Sequence, residues 1–161
     1  MSRYARNDSR RAATAFLTPS AHTRVNLSLK LVLSSDPRLL CVTRSAVERL
    51  AAVFGFAEEE CCAITLAVHE ALANIIRHAY QGRPDGPVEL TCRGLENGLE
   101  FTLVDRGQPL DPARVCARPL DAVEVGGLGT HIIRQVMDRV DYEQRPGANQ
   151  VRLVKYLKGT R

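Results

Sequence analysis

From Val25 onward the chain switches between two periods. Val25, Leu27, Leu29, Leu31 and Leu33 alternate with Asn26, Ser28 and Lys30, which predicts a strand with one buried face. Leu39, Leu40, Thr43, Val47, Leu50, Ala51 and Phe54 then recur at steps of three and four, the stripe of an amphipathic helix. Ser35-Asp36-Pro37 supplies a cap with proline at the first helical position, and Gly55 a stop. A second helix opens on Glu58-Glu59-Glu60, where carboxylates suit the positive end of the helix dipole. It runs to about Tyr80, and the turn residues of 81–87 (QGRPDGP) end it. Val88 to Arg93 and Leu99 to Asp105 read as strands around a turn containing Asn97-Gly98, a hairpin signal. Gly107 to Gly126 has no period and contains Pro109, Pro112 and Pro119, the marks of a lid-like loop. His131 to Val140 is helical, with Ile132, Ile133, Val136 and Met137 on one stripe. Val140 to Arg145 and Gln150 to Leu157 flank Pro146-Gly147-Ala148-Asn149 as a second hairpin. The order β, α, α, ββ, loop, α, ββ predicts an α+β two-layer sandwich. About three helices would lie on one face of a mixed, mostly antiparallel sheet.

Two places break the apolar pattern in a way that carries chemistry. Between Leu66 and Tyr80, the apolar positions Val68, Ala71, Leu72, Ile75, Ile76 and Ala79 leave Glu70, Asn74 and His78 at i, i+4 and i+8. Residues four apart stack on one helical face. A carboxylate that can act as a base thus sits beside an amide oxygen that can ligate a hard cation. A solvated polar face is the plain alternative. The second place is Asp105, which continues the face of Leu99, Phe101 and Leu103. Either the strand exits to solvent there, or a carboxylate is buried for a purpose. Downstream, Gly126-Gly127-Leu128-Gly129-Thr130 leads into a helix, where free backbone N–H groups make an anion site. A tight turn would use the same glycines. The GxxxxGK[ST] pattern of a phosphate-binding P-loop is absent.

Composition narrows the classes. The chain has 161 residues, 45% hydrophobic and 25% charged, as in an ordinary one-domain globular protein. No apolar run approaches the ~20 residues that span a bilayer, so no membrane role is expected. The net charge of +4 lies wholly in residues 1–24, with five arginines against Asp8; the remainder holds 17 basic and 17 acidic residues. A nucleic-acid-binding fold would carry its charge on the domain itself, so no nucleic acid is expected. Residues 1–23 read as a flexible basic tail and 24–161 as the domain. An arginine-rich, acid-poor start also fits a transit peptide or an upstream translation artefact. Five cysteines (41, 61, 62, 92 and 116) without a CxxC fit buried free thiols in a reducing cytoplasm, not disulfides or a zinc site.

Three motifs taken together carry a family resemblance. Glu70-Ala-Leu-Ala-Asn74-Ile-Ile-Arg-His78-Ala-Tyr80 resembles the N box of the GHKL ATPase superfamily. Asp105-Arg-Gly107-Gln-Pro109-Leu-Asp-Pro112 resembles its G1 box, and Gly126-Gly127-Leu128-Gly129 its G2 box. The likeness spans about residues 24 to 158. Within the superfamily the chain is most similar to the anti-sigma-factor serine/threonine kinases of bacterial partner-switching systems. The HAY ending of the N box, the DxGxPxDP form of the G1 box and the closing VRLVKYL carry that likeness. No room is expected for the helical hairpin of sensor kinases or for a transducer domain.

The resemblance implies a Bergerat ATP-binding fold in a cytoplasmic protein kinase that uses ATP and Mg²⁺. Asn74 would ligate the Mg²⁺, Glu70 would be the catalytic base, and Asp105 would accept from the adenine amino group. His78, Gly107, Pro109, Gly127, Leu128, Gly129 and Thr130 would complete the nucleotide site. The substrate would be a serine on a STAS-type anti-anti-sigma protein. A sigma factor or another regulator would be sequestered, with Arg44 at that contact, and a homodimer is possible on family grounds. The alternative is an ATP-binding module that acts by nucleotide-gated sequestration, without significant phosphotransfer. His69 beside the base and Leu110 in place of the usual aromatic of the G1 box depart from the family pattern.

Overall fold

The computed structural model of the chain describes residues 27–110 and 128–158. The expected tail (1–23), Val25, Asn26, Cys116, most of the lid-like loop, Gly126 and Gly127 lie outside them. The described strands are β1 (Ser28–Ser34), β2 (Pro87–Gly94), β3 (Gly98–Asp105), β4 (Arg139–Arg145) and β5 (Ala148–Tyr156). The helices are α1 (Leu40–Phe54), α2 (Glu58–Asn74) and α3 (Leu128–Val136). The strands form one sheet in the order β1-β2-β3-β5-β4. A mostly antiparallel sheet was expected, and every described pair is antiparallel. No described helix is long and apolar enough to cross a membrane.

Alternation along the strands separates the two faces. Val88, Leu90 and Cys92 of β2, Leu99, Phe101 and Leu103 of β3, and Val151 and Leu153 of β5 point to the helices and are buried. Val47, Ala51 and Phe54 of α1, Ile64, Val68 and Leu72 of α2, and Ile133 of α3 meet them to close one core. β1 is an edge strand; its leucines are partly buried against this core, while Val32 faces out.

Local chemistry sets the element ends. The Asp36 carboxylate accepts from the Arg38 N–H at 2.9 Å and caps a short 3-10 turn, Pro37–Leu39, that leads into α1. Gly55 ends α1 at φ 111°, a left-handed conformation that favours glycine. The other boundaries depart from the sequence reading. α2 does not run to Tyr80 as an α-helix; from Ile75 to Ala79 it widens into a π-helical turn. There the Ala79 carbonyl accepts from Gln108 N–H at 2.9 Å, and Tyr80 N–H reaches back five residues to Ile75. A tertiary partner has captured the helix end. Gly98 is not a positive-φ turn residue, although the Asn97-Gly98 pair reads as one. A Cβ there would meet the Lys155 carbonyl oxygen at 2.4 Å, so close approach of β5 is what demands glycine. α3 begins at Leu128 and ends at Val136, earlier than expected at both ends. Asp138 ends it by donating its N–H to Val154 and accepting the Tyr156 N–H (2.9 and 2.7 Å). Of the described cysteines, Cys61 and Cys92 are buried, but Cys41 and Cys62 are exposed. Adjacent helical residues cannot both face inward. Burial pushes the Cys92 thiol up to about 12, so it stays protonated.

Candidate functional site

β3 delivers Asp105 to the inner face of the sheet, where it is 3% exposed. The alternation of Leu99, Phe101 and Leu103 carries it there, so the strand does not exit to solvent. A buried carboxylate needs partners. Asn149, directly opposite on β5, donates its amide to Asp105 Oδ1 at 2.8 Å. The Gly107 N–H donates to the same oxygen at 2.9 Å. Among the described residues no donor reaches Oδ2. Burial pushes the Asp105 carboxyl above its ordinary value, and the two hydrogen bonds pull it back.

Asn149 is itself 3% exposed and holds more than Asp105. Its amide also donates to the Gln108 carbonyl (2.9 Å), and its Oδ1 accepts from Leu110 N–H (2.7 Å). One side chain therefore orients the carboxylate and shapes the strand exit that carries Gly107 and Pro109. Read along the chain, Asn149 is only the end of a Pro-Gly turn. Its partnership with Asp105 is a register fact between residues 44 apart.

Gly107 lies against the end of the second helix. A Cβ there would fall 2.4 Å from the Ala79 carbonyl oxygen, so no side chain fits. Asp105 is thereby placed next to the segment that follows Glu70 and Asn74. Those two are half-buried on α2, while His78 is exposed on the π turn. Asn74 Oδ1 already faces a cation, since Arg77 Nη1 donates to it at 3.4 Å. Arg77 went unremarked in the sequence because a lone exposed arginine reads as solvation.

α3 packs on the Glu70 side of α2. A Cβ on Gly129 would fall 2.4 Å from Glu70 Oε2, which places this carboxylate against the first turn of α3. The expected base and the expected anion site are thus adjacent. Thr130 is half-buried in the same turn, and Leu128 opens it. Pro109 is exposed on the β3 exit, and Gly127 lies outside the described residues. Arg44 is exposed on α1. Of the two departures noted in the sequence, His69 turns a buried, unpartnered Nδ1 inward beside Glu70.

The arrangement has a wall bearing a buried carboxylate, a floor without side chains at Gly107, and a carboxylate with an amide on one helical ridge. A helix N-terminus stands opposite. Such a set can hold a base by its edge and a polyphosphate at its other end.

Comparisons with known proteins identify the domain. Residues 33–155 match the model of the histidine kinase-like ATPase domain. The chain is 29% identical over 138 residues to a serine-protein kinase RsbW of Listeria monocytogenes serotype 4a (strain HCC23), covering 80% of this chain and 87% of that one. It is 26% identical over 141 residues to serine-protein kinase RsbW of Bacillus subtilis (strain 168), covering 83% and 88%. Among solved structures, that of the RsbU and RsbW domains of Rv1364c from Mycobacterium tuberculosis is similar with a TM-score of 0.60 at 14% identity. The match covers 81% of this chain and 32% of that one, and it shows the fold.

Proposed function

We propose, from the premise that this chain belongs to the family of histidine kinase-like ATPase domains, that it is an ATP-dependent protein serine kinase of a partner-switching module. The observation that carries the proposal is the junction of β3 and α2. Asp105 is buried and oriented by two donors, and it stands beside the segment that follows Glu70 and Asn74. Relatives named serine-protein kinases, similar over most of their length, support the reaction class.

The residues fit a nucleotide. Asp105 Oδ2 is the oxygen left to accept from an adenine amino group, and Gly107 lets the strand exit close on the Ala79 carbonyl beside it. Asn74 would hold a magnesium ion through its amide oxygen, and the ion would supply charge neutralisation at the phosphates. Leu128, Gly129 and Thr130 present N–H groups at the start of α3 to the same anions, with Gly127 expected beside them. His78, exposed on the π turn, and Pro109, exposed on the β3 exit, are assigned to the same site.

Glu70 stands one helical turn from Asn74, ~6 Å away along the ridge. Its carboxylate takes the proton of the acceptor hydroxyl as that oxygen bonds to the γ-phosphorus. The γ-phosphoryl bond to the β-bridging oxygen breaks, and ADP keeps that electron pair. Most of the acceleration rests on alignment and charge neutralisation, with a smaller share from the base.

The substrate we infer is a serine on a STAS-type anti-anti-sigma protein. The output is release or capture of a sigma factor or a similar regulator, with Arg44 on the exposed side of α1 as a contact. The deciding experiment measures phosphate transfer from γ-labelled ATP to a neighbouring STAS protein, by wild type and Glu70→Gln. Wild-type transfer with a loss of 100-fold or more in the variant is expected. A wild type that binds ATP but transfers nothing would sink the kinase reading and leave nucleotide-gated sequestration.

A further inference from the structure

Tyr80 ends the π turn and is 3% exposed, and its hydroxyl bonds to backbone groups rather than to the Asp105, Asn74 or Glu70 side chains. Its hydroxyl makes two bonds. It donates to the Pro87 carbonyl at 2.6 Å and accepts the Arg106 N–H at 2.9 Å. Arg106 is the residue after Asp105, so this N–H belongs to the peptide that fixes how the carboxylate leaves the strand. The ring fills the space against Gly86, where a Cβ would come within 2.2 Å of it. Gly86 in turn donates its N–H to Ser35 Oγ (2.9 Å) at the end of β1, and Ser35 is fully buried. Three chain segments therefore meet at one phenol: the end of the second helix, the start of β2 and the exit of β3. Burial holds the phenol protonated, so it donates throughout the physiological range.

We infer that the Tyr80 hydroxyl is a positioning group for base recognition. It sets the angle at which Asp105 and Gly107 face the nucleotide through the Arg106 amide, without touching the nucleotide itself. The inference rests on the nucleotide reading of the site. A purely structural tyrosine would stabilise the fold and leave the preference among bases unchanged. A positioning tyrosine alters that preference, because a carboxylate aimed at the adenine amino group rejects a base with a carbonyl at the same position.

The test compares wild type, Tyr80→Phe and a destabilised control, Phe54→Leu, at matched folded fractions. Binding of Mg·ADP and Mg·IDP is measured by calorimetry, and amide exchange by hydrogen–deuterium NMR. Tyr80→Phe keeps the ring against Gly86 and removes only the hydroxyl. It is expected to lower the ADP-over-IDP ratio about tenfold, the scale of one lost net hydrogen bond. It should also speed exchange at Arg106 and Gln108 while Leu103 stays protected. Phe54→Leu should leave the ratio as in wild type. An unchanged ratio in Tyr80→Phe, or Arg106 exchange as slow as in wild type, overturns the inference. Equal loss of the ratio in Phe54→Leu overturns it as well. A wild type that binds neither nucleotide overturns the nucleotide reading and this inference with it. That outcome is visible in the wild-type arm alone.

Discussion

Asp105 is the residue at which burial and chemistry oppose each other. Its carboxyl is raised by desolvation, so the folded state holds the proton to a higher pH than the unfolded chain does. Between the ordinary carboxylate value and the raised one, the native state binds more protons. Stability therefore falls as pH rises through that window, and ionisation at neutral pH costs the free protein stability. Asp105→Asn keeps an Oδ1 for both the Asn149 amide and the Gly107 N–H. The variant is expected to melt at or above the wild-type temperature at pH 7, with less pH dependence between pH 4 and 7. Its affinity for Mg·ADP should fall about 10–100-fold, because an amide donor now faces the base amino group. Scanning calorimetry across pH and titration with nucleotide check the two halves. Asp105 was legible from the alternation of β3. Asn149 was not, since a polar residue ending a turn has no pattern of its own.

At the scale of elements, two glycines join the helices to the site, and they differ in what they touch. Gly107 abuts backbone. An alanine there would strike the Ala79 carbonyl, whose movement would break its bond from Gln108 N–H. Gly107→Ala is expected to cost about 1–3 kcal/mol and to lower Tm by several degrees. Gly129 abuts the far end of the Glu70 side chain, which can rotate away. Gly129→Ala should leave Tm within about 2 °C, roughly the shift of a few tenths of a kcal/mol, while phosphate transfer drops at least tenfold. Melting curves and the transfer assay separate the two variants, and the opposite pattern would mean that Glu70 is not the mobile partner. The π turn belongs to this scale too. Its residues carry a good helical stripe, and the change of hydrogen bonding comes from the captured Ala79 carbonyl.

For the whole molecule, the two faces of the sheet carry unequal weight. The helix side holds the core around Phe101, which is fully buried between the strands and the helices. The outer side is a ladder of charged pairs. Arg152 meets Glu100 at 2.5 Å and Asp141 at 3.7 Å, and Lys30 meets Glu89 at 2.8 Å. Arg152 and Glu100 are half-buried, but the side chains of Lys30 and Glu89 are exposed. Exposed pairs contribute about 0–1 kcal/mol, whereas emptying a core aromatic site costs about 3–5 kcal/mol. Urea denaturation should show Lys30→Met within about 1 kcal/mol of wild type and Phe101→Ala lower by about 3–5 kcal/mol. A large loss in Lys30→Met would mean that the outer ladder is structural. The sequence by itself determined the order of the main elements, the α+β class, the inward faces of β1 and β3 and the candidate residues of the site. Each of those depends on local period or on side-chain chemistry. Tertiary structure decided what depends on approach between distant segments: Asn149 opposite Asp105, Gly107 against Ala79, Gly129 against Glu70 and the clasp at Tyr80. Register and close contact come from packing the whole chain at once, and no local window of residues contains them.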